Sequence, residues 1–254
     1  MLNDSVDKTD GHYIYWSESF SSALRKVLVA LRDKKRFIAV TGDKGYGKTE
    51  LFNMIGEGLF DAGYNVQALD VTSSFTPVEL LTLLAVNLNV ILENQTKLNL
   101  LQLLSEHYRN TSIDVESVLL LDNCNRLAYD EFLEDLKYIA ENSKNVQFVM
   151  FGESDFISRF NSVYSLFNNN IEVIKLDGLA KGECTTFVNW LQENIFSEQK
   201  KLPKKVMDYI HETAGCNPGK FKLLAKIAFE IRQENDGKIT EPKVRKRWEF
   251  LNKF

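Results

Sequence analysis

Eight consecutive residues, Gly42-Asp43-Lys44-Gly45-Tyr46-Gly47-Lys48-Thr49, constrain this chain more than any other part of it. They satisfy the spacing G-x-x-x-x-G-K-[ST], directly after the apolar run RFIAVTG at 36–42 and directly before the helical pattern KTELFNMIGEGLFDAG. Glycines at such spacing let a backbone wrap an anion closely with its N–H groups inward, through dihedrals that a side chain would obstruct. The lysine adds a charge, the threonine adds a hydroxyl for a hard cation, and the positive end of the helix that begins there favours phosphate. The alternative is a glycine-rich turn with an incidental Gly-Lys-Thr. The strand before it and the helix after it favour a phosphate loop, with Lys48 on the β- and γ-phosphates of a nucleotide and Thr49 on Mg²⁺.

The rest of the first 176 residues repeats that alternation. Apolar runs stand at NVQALDV (65–71), SVLLLD (117–122), NVQFVMFG (145–152) and IEVIKL (171–176). Between them lie a Leu-rich helical stretch from Pro77 to about Tyr108 and a helix from about Tyr129 to Asn142. Ahead of them, Phe20, Leu24, Val27, Leu28 and Leu31 recur at helical spacing, with Ser17 or Ser19 available as a cap. Five short apolar strands separated by helices predict an α/β fold with a five-stranded parallel sheet covered on both faces. After Leu176 the pattern is helical only: Phe187, Trp190 and Leu191; Val206, Tyr209 and Ile210; Phe221, Leu224, Ala225, Ala228 and Ile231; and a last helix opened by TEPKV at 240–244. The expected organisation is a flexible lead-in at 1–12, a nucleotide-binding domain at 13–177 and a small all-helical domain at 178–254.

Charge follows the same division. Residues 1–178 carry 16 basic and 25 acidic side chains, and residues 179–254 carry 15 and 10, so an acidic body bears a basic tail. Hydrophobic residues at 44% and charged residues at 26% exclude collagen-like and wholly disordered chains. Cys124, Cys184 and Cys216 lie far apart without metal-ligand spacing, which favours a reducing compartment over a disulfide framework. No run approaches the roughly 18 apolar residues that span a bilayer, and the opening is polar, so the expected location is cytoplasmic.

A site of this kind also needs an acid at the end of a second strand to hold the hydrated metal. Asp122, after Val118-Leu119-Leu120-Leu121, meets that need; the alternative is a strand-end carboxylate facing solvent. With these residues in place the chain resembles the AAA+ ATPases of the bacterial general secretion pathway (ExeA-type) and the MuB- and TniB-like ATPases of DNA transposition. The resemblance runs from about Tyr13 to Phe254. It is carried by the phosphate loop, the lead-in YIYWSESFSSAL, LLLDN at 119–123, FVMFGESDF at 148–156, LDGLAKGECTTFVNWL at 176–191 and AGCNPGKFKLL at 214–224. It implies an ATP-binding P-loop core, a helical lid, Mg²⁺ between Thr49 and Asp122, and assembly through ATP held between neighbouring copies.

Three departures from the family pattern bear on chemistry. Where relatives carry a glutamate that polarises water, this chain has Asn123, which orients water but cannot accept its proton; such general-base help is worth about 10²–10⁴-fold in rate. Gln-Arg-Ile before the fifth strand becomes Asn169-Asn170-Ile171, removing the arginine expected to reach a neighbour's phosphate, a group worth about 10³–10⁵-fold in related chemistry. Pro-Arg in the lid becomes Pro218-Gly219-Lys220, leaving Lys220 as a substitute. Binding survives such losses better than hydrolysis, because these groups act mainly on the transition state. Glu153, where relatives carry a polar sensor residue, either touches the γ-phosphate water network and partly offsets Asn123 or faces solvent.

Two further features have double readings. Tyr13, Tyr15 and Trp16 either wall the adenine, as the resemblance implies, or anchor the N-terminus to the core. Lys243, Arg245, Lys246 and Arg247 either bind nucleic acid or an acidic partner or form a solvated helix face. The expected function is an ATP- and Mg²⁺-dependent switch that recruits or remodels a partner, as a homo-oligomer or through a protein partner, with weak or absent hydrolysis. The alternative is an active ATPase energising secretion or transposition. A small-molecule kinase is a third class, disfavoured by a helical lid with no evident acceptor pocket.

Overall fold

A computed structural model describes residues 14–71, 75–89, 96–111, 116–126, 131–143, 145–156, 171–196 and 201–252. The main elements are α1 (Glu18–Arg32), β1 (Phe37–Thr41), α2 (Lys48–Asp61), β2 (Asn65–Asp70), α3 (Pro77–Asn87), α4 (Lys97–Asn110), β3 (Ser117–Asp122), α5 (Glu131–Asn142), β4 (Val146–Gly152), β5 (Ile171–Lys175), α6 (Glu183–Trp190), α7 (Lys204–Ala214), α8 (Pro218–Glu234) and α9 (Glu241–Leu251). The chain divides into two compact units. One comprises Ser22–Asp43 and Lys48–Leu176, the other Met1–Ser21, Lys44–Gly47 and Asp177–Phe254.

The first unit is built on a parallel sheet of order β2-β3-β4-β1-β5. Its three inner strands are buried at every position, which is why FIAVT, SVLLLD and VQFVMFG read as continuous apolar runs rather than alternating ones. Alternation survives as a choice of face. Leu119 and Leu121 enter one cluster with Leu84, Leu104, Phe132 and Leu136 from α3, α4 and α5. Leu120 points to the opposite face, where it lies so close to α2 that a Cβ on Gly56 would stand 3.3 Å from its methyl. Since every pairing is parallel, Thr41, Asp70, Asp122 and Gly152 all end their strands at the same edge of the sheet, Asp70 in register with Asp122 and Thr41 with Gly152. Loops at the carboxyl ends of such strands are where ligands bind in this class of sheet.

The second unit packs α6 to α9 around Phe187, Val206, Ile210, Phe221, Leu224, Ala228 and Val244. A π-helical turn, Leu191–Ile195, prolongs α6. At the start of α8 the Lys220 N–H donates to Asn217 Oδ1 at 3.0 Å and Pro218 fills the first turn, two start signals in succession.

Two expectations are revised. The single helical stretch from Pro77 to about Tyr108 is two helices. The chain stops after α3 with Asn89 at φ 54°, the left-handed conformation that ends helices, and restarts at α4 behind Thr96, whose hydroxyl accepts from the Asn99 N–H. In α1 the buried stripe is Phe20, Ala23, Val27, Ala30 and Leu31, with small alanines completing it, and Leu28 is 45% exposed. Of the two candidate caps, Ser17 Oγ accepts from the Phe20 N–H at 3.1 Å, while Ser19 Oγ donates to the Asp177 carbonyl.

Candidate functional site

The loop between β1 and α2 owes its glycines to different causes. At Gly42 a Cβ would sit 2.4 Å from the Leu176 carbonyl oxygen, so close passage beside the residue following β5 requires glycine there. Gly45 and Gly47 have φ of 87° and 97°, in the left-handed region where side chains are strained. In the helical unit, to which residues 44–47 belong, Asn217 Nδ2 donates to the Lys44 carbonyl at 2.8 Å and the Gly219 N–H donates to the Gly45 carbonyl at 2.9 Å. A Cβ on Gly45 would meet Asn217 Oδ1 at 2.6 Å. Asp43 and Lys44 are exposed, and Tyr46 is half-buried.

Lys48 opens α2 with only 9% of its surface exposed. Its Nζ donates to the carbonyls of Gly42 at 2.7 Å and Asp43 at 3.1 Å, closing the loop on itself. Burial pulls this ammonium below its ordinary pKa, opposed by the negative charges of Glu153, Asp122 and Asp43. Three carboxylates therefore act electrostatically on the cation that the sequence assigned to phosphate. Ser154 Oγ donates to Asp43 Oδ1 at 3.3 Å.

At the neighbouring strand end Thr49 Oγ1 donates to Asp122 Oδ2 at 2.7 Å. Asp122 is 2% exposed and its other oxygen accepts the Asn123 N–H at 2.8 Å, so the carboxylate is fixed from both sides. Asn123 has φ 57°, a conformation that costs an ordinary L-residue about 1–2 kcal/mol and that asparagine tolerates better. Its side-chain Nδ2 donates to Asp70 Oδ1 at 2.7 Å. The amide expected to meet water is thus engaged with a carboxylate at the end of β2.

These groups fit Mg²⁺ and phosphate by their chemistry. Thr49 and Asp122 present two hard oxygens side by side, the donors that Mg²⁺ takes with phosphate oxygens and water completing its shell. Among the described residues no group of three or more His, Cys, Asp or Glu side chains is placed to hold a metal. Positive-φ glycines and a buried lysine at a helix start supply the matching anion side.

The remaining sequence candidates that the structure describes belong to the helical unit. Tyr15 is in an aromatic group in the helical unit, edge-on to Phe187 at 4.9 Å and to Trp190 at 5.6 Å, the contacts expected of an anchor. Trp16 packs edge-on to Phe20 at 5.9 Å. Lys220 is exposed, with its N–H in the α8 cap. In the basic group, Arg247 makes two bonds to Glu234, Arg245 bonds Glu241 and lies over Tyr209, and Lys243 donates to Asn235. Those partners raise the guanidinium pKa values of Arg245 and Arg247, through Glu241 and Glu234 respectively. Tyr13, Asn169 and Asn170 lie outside the described residues. Sequence reasoning missed Asp70 and Asn217. Asp70 had a signal, since it closes NVQALD as Asp122 closes SVLLLD; Asn217 had one as a cap before proline.

A parallel sheet of this order with a phosphate-loop sequence at the end of β1 defines a P-loop nucleotide-binding protein. Residues 31–160, just over half the chain, match the family described as AAA domain, and the chain belongs to that family. Solved structures share its fold at low identity. The ORC2 protein of Aeropyrum pernix, in ADPNP–ADP complexes, is 16% identical with TM-score 0.63, covering 94% of this chain and 70% of that one. The Aeropyrum pernix ORC1 protein in complex with DNA is 16% identical with TM-score 0.66, covering 98% and 68%. Domain III of the Thermotoga maritima replication initiation protein DnaA is 16% identical with TM-score 0.55, covering 91% of each chain. No curated protein sequence matches the chain. Among the described residues no helix is long and apolar enough to cross a membrane.

Proposed function

We propose that the protein is an ATP-binding AAA switch: ATP with Mg²⁺ sets a conformation or an assembly that recruits or remodels a partner, and hydrolysis is slow. The observation that carries this reading is the pairing of an intact holding apparatus, Lys48 with the 2.7 Å Thr49–Asp122 bond, with an amide at position 123. Lys48 takes the β- and γ-phosphates, residues 42–47 offer their N–H groups, and Thr49 with Asp122 holds the metal. Bound Mg²⁺ supplies charge neutralisation to the phosphates. Tyr15 and Lys220 are assigned to the nucleotide on the resemblance alone. Assembly as a homo-oligomer and a cytosolic location are part of the same reading; three thiols outside any disulfide fit a reducing compartment. The test is one preparation in which ATP affinity, mass with and without ATP, and turnover are measured. Tight binding, a nucleotide-dependent mass and turnover well below 1 s⁻¹, the low end of ordinary enzymes, are expected. Turnover near that order contradicts the slow-hydrolysis part.

One observation favours an active ATPase serving secretion or DNA transposition: Glu153 is the foremost negative charge acting on Lys48. If it supports hydrolysis, Glu153→Gln lowers turnover while ATP affinity holds, and unchanged turnover rejects the role. Nucleic acid is a proposed partner through Lys243, Arg245, Lys246 and Arg247. A binding constant insensitive to salt would reject it, since phosphate contacts release counterions.

A further inference from the structure

We propose that Asp70 is the carboxylate that engages the attacking water, and that Asn123 is the residue that positions it. The inference rests on the ATP-binding part of the reading above and supplies the group through which its slow hydrolysis proceeds. Asp70 ends β2 in register with Asp122, one strand over from the proposed metal ligand, and its side chain is exposed, so water reaches it. The Asn123 amide holds Asp70 Oδ1 at 2.7 Å. A hydrogen bond from an amide fixes a carboxylate without neutralising it, and leaves its second oxygen to accept from water. The backbone of Asn123 is turned to φ 57° at this point, and left-handed non-glycine residues gather where function constrains the chain. Asn123 is therefore a donor whose acceptor is a base, on the adjacent strand from where a base was sought.

In the step so formed, the water oxygen bonds to the terminal phosphorus as that atom's bond to the bridging oxygen breaks. One water proton passes to Asp70 and then to solvent, and the products are the nucleoside diphosphate and inorganic phosphate. Nothing beyond water and nucleotide is consumed.

The experiment compares the intact chain with Asp70→Asn and with the exchange Asp70→Asn/Asn123→Asp, which moves the carboxylate across the same pair. Three readouts are taken: ATP affinity by calorimetry, single-turnover ADP formation, and the side-chain amide resonance of Asn123 in nucleotide-free protein. Asp70→Asn is expected to keep ATP affinity within about twofold, to displace the Asn123 amide resonance, and to slow ADP formation by about 10²-fold, the low end of general-base contributions. The exchange is expected to recover ADP formation to within about tenfold of the intact chain. Unchanged ADP formation in Asp70→Asn overturns the proposal. So does an Asn123 resonance that does not respond, or an exchanged variant that melts like the intact chain yet stays as slow as Asp70→Asn. An intact chain that binds no ATP defeats the ATP reading itself, whereas binding without Asp70-dependent ADP formation defeats this inference alone.

Discussion

At residues 42–49 the groups suited to hold an anion are complete, and the backbone fixes most of them. Glycines take positive φ, Lys48 is folded onto two carbonyls, and Asn217 and Gly219 grip the carbonyls of Lys44 and Gly45. The ends of β2 and β3 differ. Asp122 is held through both carboxylate oxygens, but the next position carries an amide, which donates to the Asp70 carboxylate at the end of the neighbouring strand. Ground-state binding needs the first set; acceleration needs groups whose interactions strengthen in the transition state. The proposal that this chain separates holding a nucleotide from consuming it rests on that difference.

The comparison breaks most readily at Lys48. Lys48→Ala is expected to weaken ATP binding by about 10²-fold, since hydrogen bonds to charged groups contribute about 1.5–3 kcal/mol. Calorimetry checks it, and an unchanged affinity removes the loop from the account. Asp122→Asn should act next: the gain in ATP affinity produced by Mg²⁺ falls by about tenfold while binding in chelator changes little, because the metal term alone is touched. A loss equal with and without Mg²⁺ would mean that Asp122 serves the fold rather than the metal.

Asn217→Ala sharpens the comparison from the loop side. It removes the α8 cap and the bond to Lys44 together, at about 1 kcal/mol or somewhat more, or about 2–4 °C in Tm for a chain of this size. ATP affinity should fall with it; a change in Tm alone would reduce Asn217 to a cap.

The smallest effect concerns a buried charge away from the site. Asp135 is 4% exposed and burial raises its pKa above the ordinary 3.8, against the pull of Lys97. Lys97 also pairs with Glu131, and Glu131 and Glu134 push the value the same way as burial. A carboxyl whose folded pKa is raised binds its proton more tightly in the folded state, so this group adds stability as pH falls from 7 through that raised value. Asp135→Asn should flatten that part of the pH–Tm curve while leaving ATP affinity unaltered, unlike Asp122→Asn. A slope that persists in the variant would assign it to other groups.

Much of the fold was legible because its signals are local. SVLLLD is a strand over the same six residues, and the inner strands read as unbroken apolar runs because helices cover both of their faces. The five-stranded parallel sheet and the helical remainder follow from that alternation. Less legible was the break between Asn87 and Lys97, since the leucines on either side of it continue at helical spacing and neither Asn89 nor Thr96 is a strong stop or start signal by itself. The loop between β1 and α2 and the placing of Asp122 beside Thr49 could be anticipated because motif and context coincide in sequence. Asp70 could not be joined to Asn123 before the strand order was known: 53 residues separate them, and only the pairing of β2 with β3 puts the two ends together.

The most direct test is calorimetric titration of ATP with Mg²⁺ into the intact chain. The account predicts saturable binding at one site per chain, weakened about 10²-fold when Lys48 is alanine. Absence of measurable heat with either adenosine or guanosine triphosphate would contradict it.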